Sequence, residues 1–483
     1  MFVAAGALAI GLVAAWHYTA IDLALSHYDA RAHLVVARRV FDSLMPGWQQ
    51  IGGVWLPLPH VLNMLPVQVD AWYRTGASGI AISVLSMAVG VWALATLIQR
   101  VTGSLAAGVA GGALLMANPN LLYLQSTPMT EPVLFGATLL ALALTARWLD
   151  DGATNARAPG LALAAACMTR YEAWPVTAAV VALACAVLIR RNAGMIGAIR
   201  ACARLAAYPA IAIALFAANS RWTTGAWVVT GGFFVAENEA LGRPAVAWEQ
   251  IREGVYLLSG TATVWPAYAG AAALALAFCL SRRRAVLVLA IAPAASLILP
   301  LYAYAEGHPF RIRYGAPLVV ACVVIAAAAI ALLPRRVRAG AAAAAVIAAL
   351  AQQAPFDRSA PLIVEAQRDA ANQRGRARVT RYLEQHYDGR IVMMSMGSLA
   401  HYMHDLSHAG FRIREFLHEG NGEIWEFAFR LGPRGLAGWV AVEERAEGGD
   451  ALFHRAQQNP AWLQGFERVA EGGGVALYRT VAR

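Results

Sequence analysis

Apolar runs separated by short polar stretches occupy most of the chain, near 1–20, 76–98, 104–117, 132–149, 158–189, 203–218, 264–280, 285–303, 314–333 and 338–351. A helix needs about 20 apolar residues to cross a bilayer, so each run is a candidate span. The run 158–189 is interrupted by "MTRYEAWP" at 168–175. It reads either as one long helix with an arginine and a glutamate in lipid, or as two short crossings joined by an exposed polar turn. Arginine placement decides. Arg190, Arg191, Arg200 and Arg204, then Arg282–Arg284, then Arg335, Arg336 and Arg338 share one side with Arg100, Arg147 and Arg157 only if the chain crosses twice between 157 and 190. The positive-inside bias then predicts about eleven spans, with the N-terminus inside and the C-terminus outside. The apolar N-terminus, which lacks a charged leader region, is taken as a retained first span.

This parity gathers on the outer side the loop at about 21–75, the turn at 118–132, the "TRYEAW" turn, the loops 219–263 and 304–317, and everything after 352. Beyond 352 the pattern changes. Strand-like "RIVMMSMG", "GWVAVEE" and "GVALYRT" are interleaved with helical stretches near 361–386 and 398–409. The predicted architecture is a mainly α, polytopic membrane domain (1–351) followed by an extracytoplasmic α/β domain (352–483).

Composition fits this picture. The 483 residues are 59% hydrophobic and only 14% charged, against about 25% charged for soluble domains. The net charge is +10, and every Lys+Arg position is an arginine. Because the arginines sit in short clusters between apolar runs, membrane topology accounts for them better than nucleic acid does. The five cysteines lie inside apolar runs with neither metal-ligand nor disulfide spacing.

Candidate chemistry concentrates outside. In "SHYDARAHLVVARRV" (26–40), Asp29 lies near the start of a helical pattern, with His33 one turn on and His27 just before it. An N-cap on an interfacial amphipathic helix is the plain structural alternative. Glu131 stands where "STPMTEP" enters a span, again either a helix-start acid or a site acid. Arg170 and Glu172, with Tyr171 between them, either balance one another or act, since ionisable groups at membrane depth are expensive. A guanidinium there suits a lipid-linked phosphate, whose oxygens its planar fork binds in pairs. "HPFRIRYGAP" places His308, Arg311, Arg313 and Tyr314 at the start of a span, against the inside bias. "WLPLPH" adds Trp55 and His60 on proline turns. His401, His404 and His408 in the tail invite a zinc reading, but no cysteine accompanies them, and a surface touching the membrane domain is the preferred reading.

The acid in a long first outer loop, the "TE" at 130–131, the broken span ending in "TR-x-E" at 169–172 and the "R-x-RY-x-x-P" at 311–317 occur in order and on one side. In this the chain resembles the GT-C membrane glycosyltransferases over about residues 1–335, nearest the branch of protein O-mannosyltransferases and aminoarabinose transferases. The resemblance implies inverting transfer of a monosaccharide from a polyprenyl-phosphate donor to a glycan, lipid or protein acceptor at the outer face of the cytoplasmic membrane. It implies Asp29 as the base and Glu131 as a second acid. Arg170, Arg311 and Arg313 would hold the donor phosphate, with His27, His33, Tyr171, Glu172 and Tyr314 orienting substrates. The aminoarabinose transferases carry a lysine in a "K-P-P" turn of the first loop, whereas "WLPLPH" has none, so His60 or the arginines alone would meet the phosphate. No metal or other cofactor is expected. A transporter or flippase for a lipid-linked sugar is the alternative. It would give no reason for the acids to gather on one face, and no inverted repeat is visible.

Overall fold

The computed structural model describes residues 2–229 and 238–481, so part of the outer loop 219–263 lies outside the described residues. The helices are α1 (Phe2–Ala20), α2 (Tyr28–Arg38), α3 (Leu58–Asn63), α4 (Asp70–Thr75), α5 (Ala77–Thr102), α6 (Leu105–Ala117), α7 (Pro119–Gln125), α8 (Glu131–Asp150), α9 (Arg157–Cys167), α10 (Ala173–Arg190) and α11 (Met195–Thr224). They continue as α12 (Pro244–Ser259), α13 (Thr261–Leu280), α14 (Ile298–Ala305), α15 (Ala316–Ile330), α16 (Arg335–Gln352), α17 (Pro361–Gly375), α18 (Ala377–His386), α19 (Met396–Leu406), α20 (Glu423–Leu431) and α21 (Ala451–Gln458). A 3₁₀ stretch, Arg284–Leu297, leads directly into α14.

Among the described residues, eight helical segments are long and apolar enough to cross a membrane, and the bent pair α6–α7 makes a ninth. The difference from about eleven has a physical origin. Helix α9 has 11 residues, about 16 Å of rise and half a bilayer. Helix α16 begins with three arginines in its first four residues, which lowers its hydropathy. Both still run between the same two ends as their neighbours. At one end, Arg100 pairs with Asp151 at 2.6 Å. Arg191 reaches Asp150 at 3.0 Å, and Arg190 donates to the Cys279 carbonyl at 2.5 Å. The C-terminal ends of α5, α8, α10 and α13 therefore meet there. At the other end, Arg170 in the α9–α10 turn contacts Glu131 at the start of α8. The chain thus runs down and back between 157 and 190, as two short crossings require.

Two local features set the end that carries the acids. Asn118 breaks α6 from α7 by 76°, and its side chain accepts from the amides of Asn120 and Leu121, both at 3.0 Å, a side-chain cap followed by Pro119. Helix α8 packs on α5 through glycine. A Cβ on Gly90 would lie 3.2 Å from Gly136 Cα, and one on Gly136 would overlap the Ser86 carbonyl. Close backbone approach through small residues is how membrane helices gain packing where lipid already solvates apolar surface.

The tail forms the predicted α/β unit. β1 (Val392–Met394), β2 (Phe416–Leu417), β3 (Trp439–Glu443), β4 (Phe466–Gly472) and β5 (Val475–Thr480) make one sheet in the order β2-β1-β3-β5-β4. β1 pairs parallel with β2 and β3, while β5 is antiparallel to β3 and β4. Helix α2 does not lie on a membrane surface. Every residue from Ala30 to Arg38 is buried, because Ala32, Leu34, Val35 and Ala37 share one apolar core with Leu399, Tyr402 and Met403 of the tail. Arg31, 1% exposed, donates to both Asp405 oxygens at 2.6 Å. The tail domain roofs the first outer loop.

Candidate functional site

Asp29 is not a helix cap. The His27 side chain takes that role, accepting the Asp29 amide at 3.1 Å through Nδ1, and the Asp29 carboxylate is left for another partner. That partner is Arg313 in the short turn before α15, with Nη2 2.5 Å from Asp29 Oδ2. Glu131 opens α8 but caps nothing. It is fully buried, and neither of its oxygens accepts a well-formed hydrogen bond. It lies instead between two guanidiniums, with Oε1 3.1 Å from Arg170 Nη1 and 3.3 Å from Arg313 Nε. Arg170 also binds Glu172 at 2.7 Å and donates to the Thr130 hydroxyl at 3.1 Å. The Tyr314 ring is shared by both cations, 5.8 Å from the Arg170 guanidinium carbon and 5.7 Å from that of Arg313, within cation–π range.

Asp29, Glu131, Arg170, Glu172, Arg313, Tyr314 and His27 therefore form one contiguous cluster, drawn from the first outer loop, α8, the α9–α10 turn and the start of α15. Arg311 sits beside it, its guanidinium 6.0 Å from the Tyr28 ring centre and its carbonyl bonded by the Tyr304 hydroxyl at 2.7 Å. His33 and His60 are set back. Their rings are bonded to each other at 3.0 Å, and His33 lies 4.1 Å from the Trp55 ring. His60 is 1% exposed, with Nε2 engaged by His33 and Nδ1 buried without a hydrogen-bond partner. Tyr171 turns away and donates to the Val54 carbonyl at 3.2 Å. In the tail, His401 meets Arg376 at 2.6 Å and His404 meets the Tyr73 carbonyl at 2.9 Å. His408 packs against His404, ring centres 5.7 Å apart, while His401 and His404 reach the first outer loop at Tyr28 and Tyr73.

The electrostatics follow from burial and pairing. Burial would raise the Asp29 carboxyl, but the Arg313 guanidinium, aided by its hydrogen bond, outweighs it and holds the acid well below the usual carboxylate range. Burial, reinforced by Arg313, takes His27 down to about 3, and burial against the pull of Asp29 takes His33 to about 3. Both rings are neutral at pH 7. Since His27 Nδ1 accepts from the backbone, its proton sits on Nε2. Below the cluster a small cavity of about 20 Å³ lies between Leu134, Phe135, Val176, Pro293 and Val320, with Glu172 on its wall. The surface beneath the cluster is thus largely apolar.

Sequence reasoning missed Glu365 and Asp369, which face this site from α17. The available signal was an acid inside the apolar "PLIVEA", with another acid one turn on.

A bundle of apolar helices with acids and arginines at one end, roofed by a small mixed-sheet domain, is the architecture of the GT-C membrane glycosyltransferases, and this chain has that fold. The similar solved structures include ArnT from Cupriavidus metallidurans, both bound to undecaprenyl phosphate and in the apo state. Each is 11% identical, has a TM-score of 0.60 and covers 99% of this chain and 98% of the other. The Archaeoglobus fulgidus oligosaccharyltransferase in the apo form aligns with 11% identity over 91% of this chain and 70% of its own, with a TM-score of 0.49. No protein-family model and no curated protein matches the sequence.

Proposed function

We propose that the chain is an inverting glycosyltransferase that moves a monosaccharide from a polyprenyl-phosphate donor to a hydroxyl on a glycan, lipid or protein acceptor at the extracytoplasmic face of the cytoplasmic membrane. The observation that carries this reading is the convergence of Asp29, Glu131, Arg170 and Arg313 at one end of the bundle, above a largely apolar lining. The undecaprenyl phosphate in the similarly folded ArnT structure supports the lipid class. The arginine-rich opposite end supports the orientation.

In the proposed step the acceptor oxygen attacks the anomeric carbon from the face opposite the phosphate. The acceptor proton passes to the Asp29 carboxylate, the new C–O bond forms, and the anomeric C–O bond to phosphate breaks. Polyprenyl phosphate leaves with the bonding electron pair. Arg170 and Arg313 offset its added charge, the electrostatic part of the rate enhancement. Both arginines are ion-paired with carboxylates before substrate arrives, so the phosphate binds by exchange. As it draws Arg313 away, Asp29 becomes a stronger base. Donor binding therefore precedes base activation. The reading includes no cofactor.

The test is transfer by the purified protein in lipid nanodiscs, using labelled mannosyl-, glucosyl- and arabinosyl-phosphopolyprenols with an envelope lipid and glycan fraction as acceptor. Product of inverted configuration from one of these donors is expected. Movement of the intact donor between leaflets without cleavage of the sugar–phosphate bond would replace this reading with the flippase.

A further inference from the structure

Helix α17 links the membrane domain to the tail, yet it belongs to the membrane core. Leu362, Ile363 and Ala366 are buried in that core, and the Leu362 amide donates to the Asn120 side chain at 3.1 Å. This sets the adjoining edge of α17, which carries Glu365 and Asp369, against the start of α2. There Glu365 Oε1 lies 3.9 Å from His27 Nε2.

The His27–Glu365 contact has a definite polarity. His27 Nδ1 is engaged by the Asp29 amide, so the neutral ring carries its hydrogen on Nε2. Arg313 Nη1, 3.5 Å away, is also a donor and cannot use that hydrogen. The Nε2–H side of the ring faces the Glu365 carboxylate across 3.9 Å, longer than a hydrogen bond. Glu365 is not needed to balance Arg313, which is already paired with Asp29 and Glu131. Its Oε2 is shut from solvent and accepts no hydrogen bond, although 24% of the side chain is exposed. A buried acceptor without a donor is unfavourable unless a ligand fills it. Fully buried Glu131, held between Arg170 and Arg313, lies in the same cluster of charges. Glu365 thus keeps, within the charge field of Asp29, a buried oxygen that no donor meets, and it fits a ligand rich in hydroxyl donors.

Building on the glycosyl-transfer reading, we propose that Glu365 is a further catalytic residue on the acceptor side: its carboxylate, beside His27, accepts the hydrogen of a second, non-reacting hydroxyl of the acceptor and so holds the reacting hydroxyl, whose own proton passes to Asp29, in line for attack. The tail domain's first helix thereby forms part of the acceptor subsite. Burial raises the Glu365 carboxyl, opposed by Arg313 and Arg311 and assisted by Asp29 and Glu131. Together with His27 at the facing start of α2 and Asp369 on its own helix, these are the groups that set its titration.

The test uses the full chain in nanodiscs, a phosphopolyprenyl sugar that the wild type consumes, and octyl glucoside as the hydroxyl probe. Glu365→Gln is expected to lower kcat at least 30-fold and raise the octyl glucoside KM, with undecaprenyl phosphate affinity within twofold of wild type. Glu365→Asp should recover part of the rate, whereas Arg368→Gln on the exposed face of α17 should leave it unchanged. Undecaprenyl phosphate binding reports that each variant is folded. Wild-type kinetics in Glu365→Gln would overturn the assignment, and so would a loss confined to donor affinity. A wild type that cleaves no donor in any mixture would remove the glycosyl-transfer reading itself, and this one with it.

Discussion

Asp29→Asn replaces a carboxylate by a carboxamide of nearly the same shape, and the geometry around Arg313 fixes how much that change should disturb. Removing one partner of a buried ion pair costs about 3–5 kcal/mol when the other charge is left alone. Arg313 would not be left alone. Its Nη2 can still donate to the carboxamide oxygen that the substitution leaves in place, and its Nε keeps Glu131 at 3.3 Å. The destabilisation should therefore stay near the worth of one charge-assisted hydrogen bond, about 1.5–3 kcal/mol at most. Loss of a positioned proton acceptor, by contrast, slows transfer by about 10²–10⁴, roughly 3–5 kcal/mol in the barrier. The expected signature is a folded protein that binds undecaprenyl phosphate yet turns over at least a hundredfold more slowly in a labelled-sugar assay. Retention of more than a tenth of wild-type kcat would refute Asp29 as the base.

Phosphate exchange adds a sharper readout from the same enzyme. In the free protein Arg313 holds the Asp29 carboxyl well below the usual range, and donor phosphate should weaken that hold. The acidic limb of kcat/KM for donor reports the free enzyme, and that of kcat reports the loaded one. The kcat limb should thus fall at the higher pH, and coincident limbs would show that Arg313 stays on Asp29 throughout.

Arg170→Ala removes a fork that meets Glu131 and Glu172 and should weaken undecaprenyl phosphate binding by about 10–100-fold, the worth of a charged hydrogen bond; an unchanged Kd would place the phosphate elsewhere. His27, His33 and His404 are each pushed down to about 3 by burial, so below pH 6.5 the unfolded chain binds more protons than the native one. Stability present above pH 6.5 should therefore fall on acidification toward pH 3, by up to ~4 kcal/mol per pH unit for three such groups; a melting temperature that is flat or rises between pH 6.5 and 5 would contradict their neutral burial. Cys279 is exposed at the arginine-rich end, and a cysteine placed at exposed Glu384 would sit in the tail domain. In oriented membrane vesicles an impermeant maleimide should label the two from opposite sides, and labelling from one side would break the topology.

What the sequence revealed, and what it withheld, follows from the range of the interactions concerned. Spans are local, because each needs only its own apolar run, and the parity of arginines was enough to find the α9–α10 hairpin even though α9 is half a bilayer long. The grouping of Asp29, Glu131, Arg170 and Arg313 was legible for the same reason, since parity alone puts their segments at one end. Whether a given acid is a cap is decided by neighbours that the pattern does not show. His27 competes with Asp29 for the same amide and wins it, so an acid at an ordinary cap position is freed for Arg313. Likewise the pattern did not show that His60, read as a phosphate contact, meets His33 through Nε2. Glu365 was invisible because its meaning depends on α17 folding back over α2, a contact between segments with no pattern in common. What places α17 there is the apolar face of Leu362, Ile363 and Ala366, buried in the membrane core. The same face that makes "PLIVEA" look like a plain helix start is the one that turns its acid toward the site.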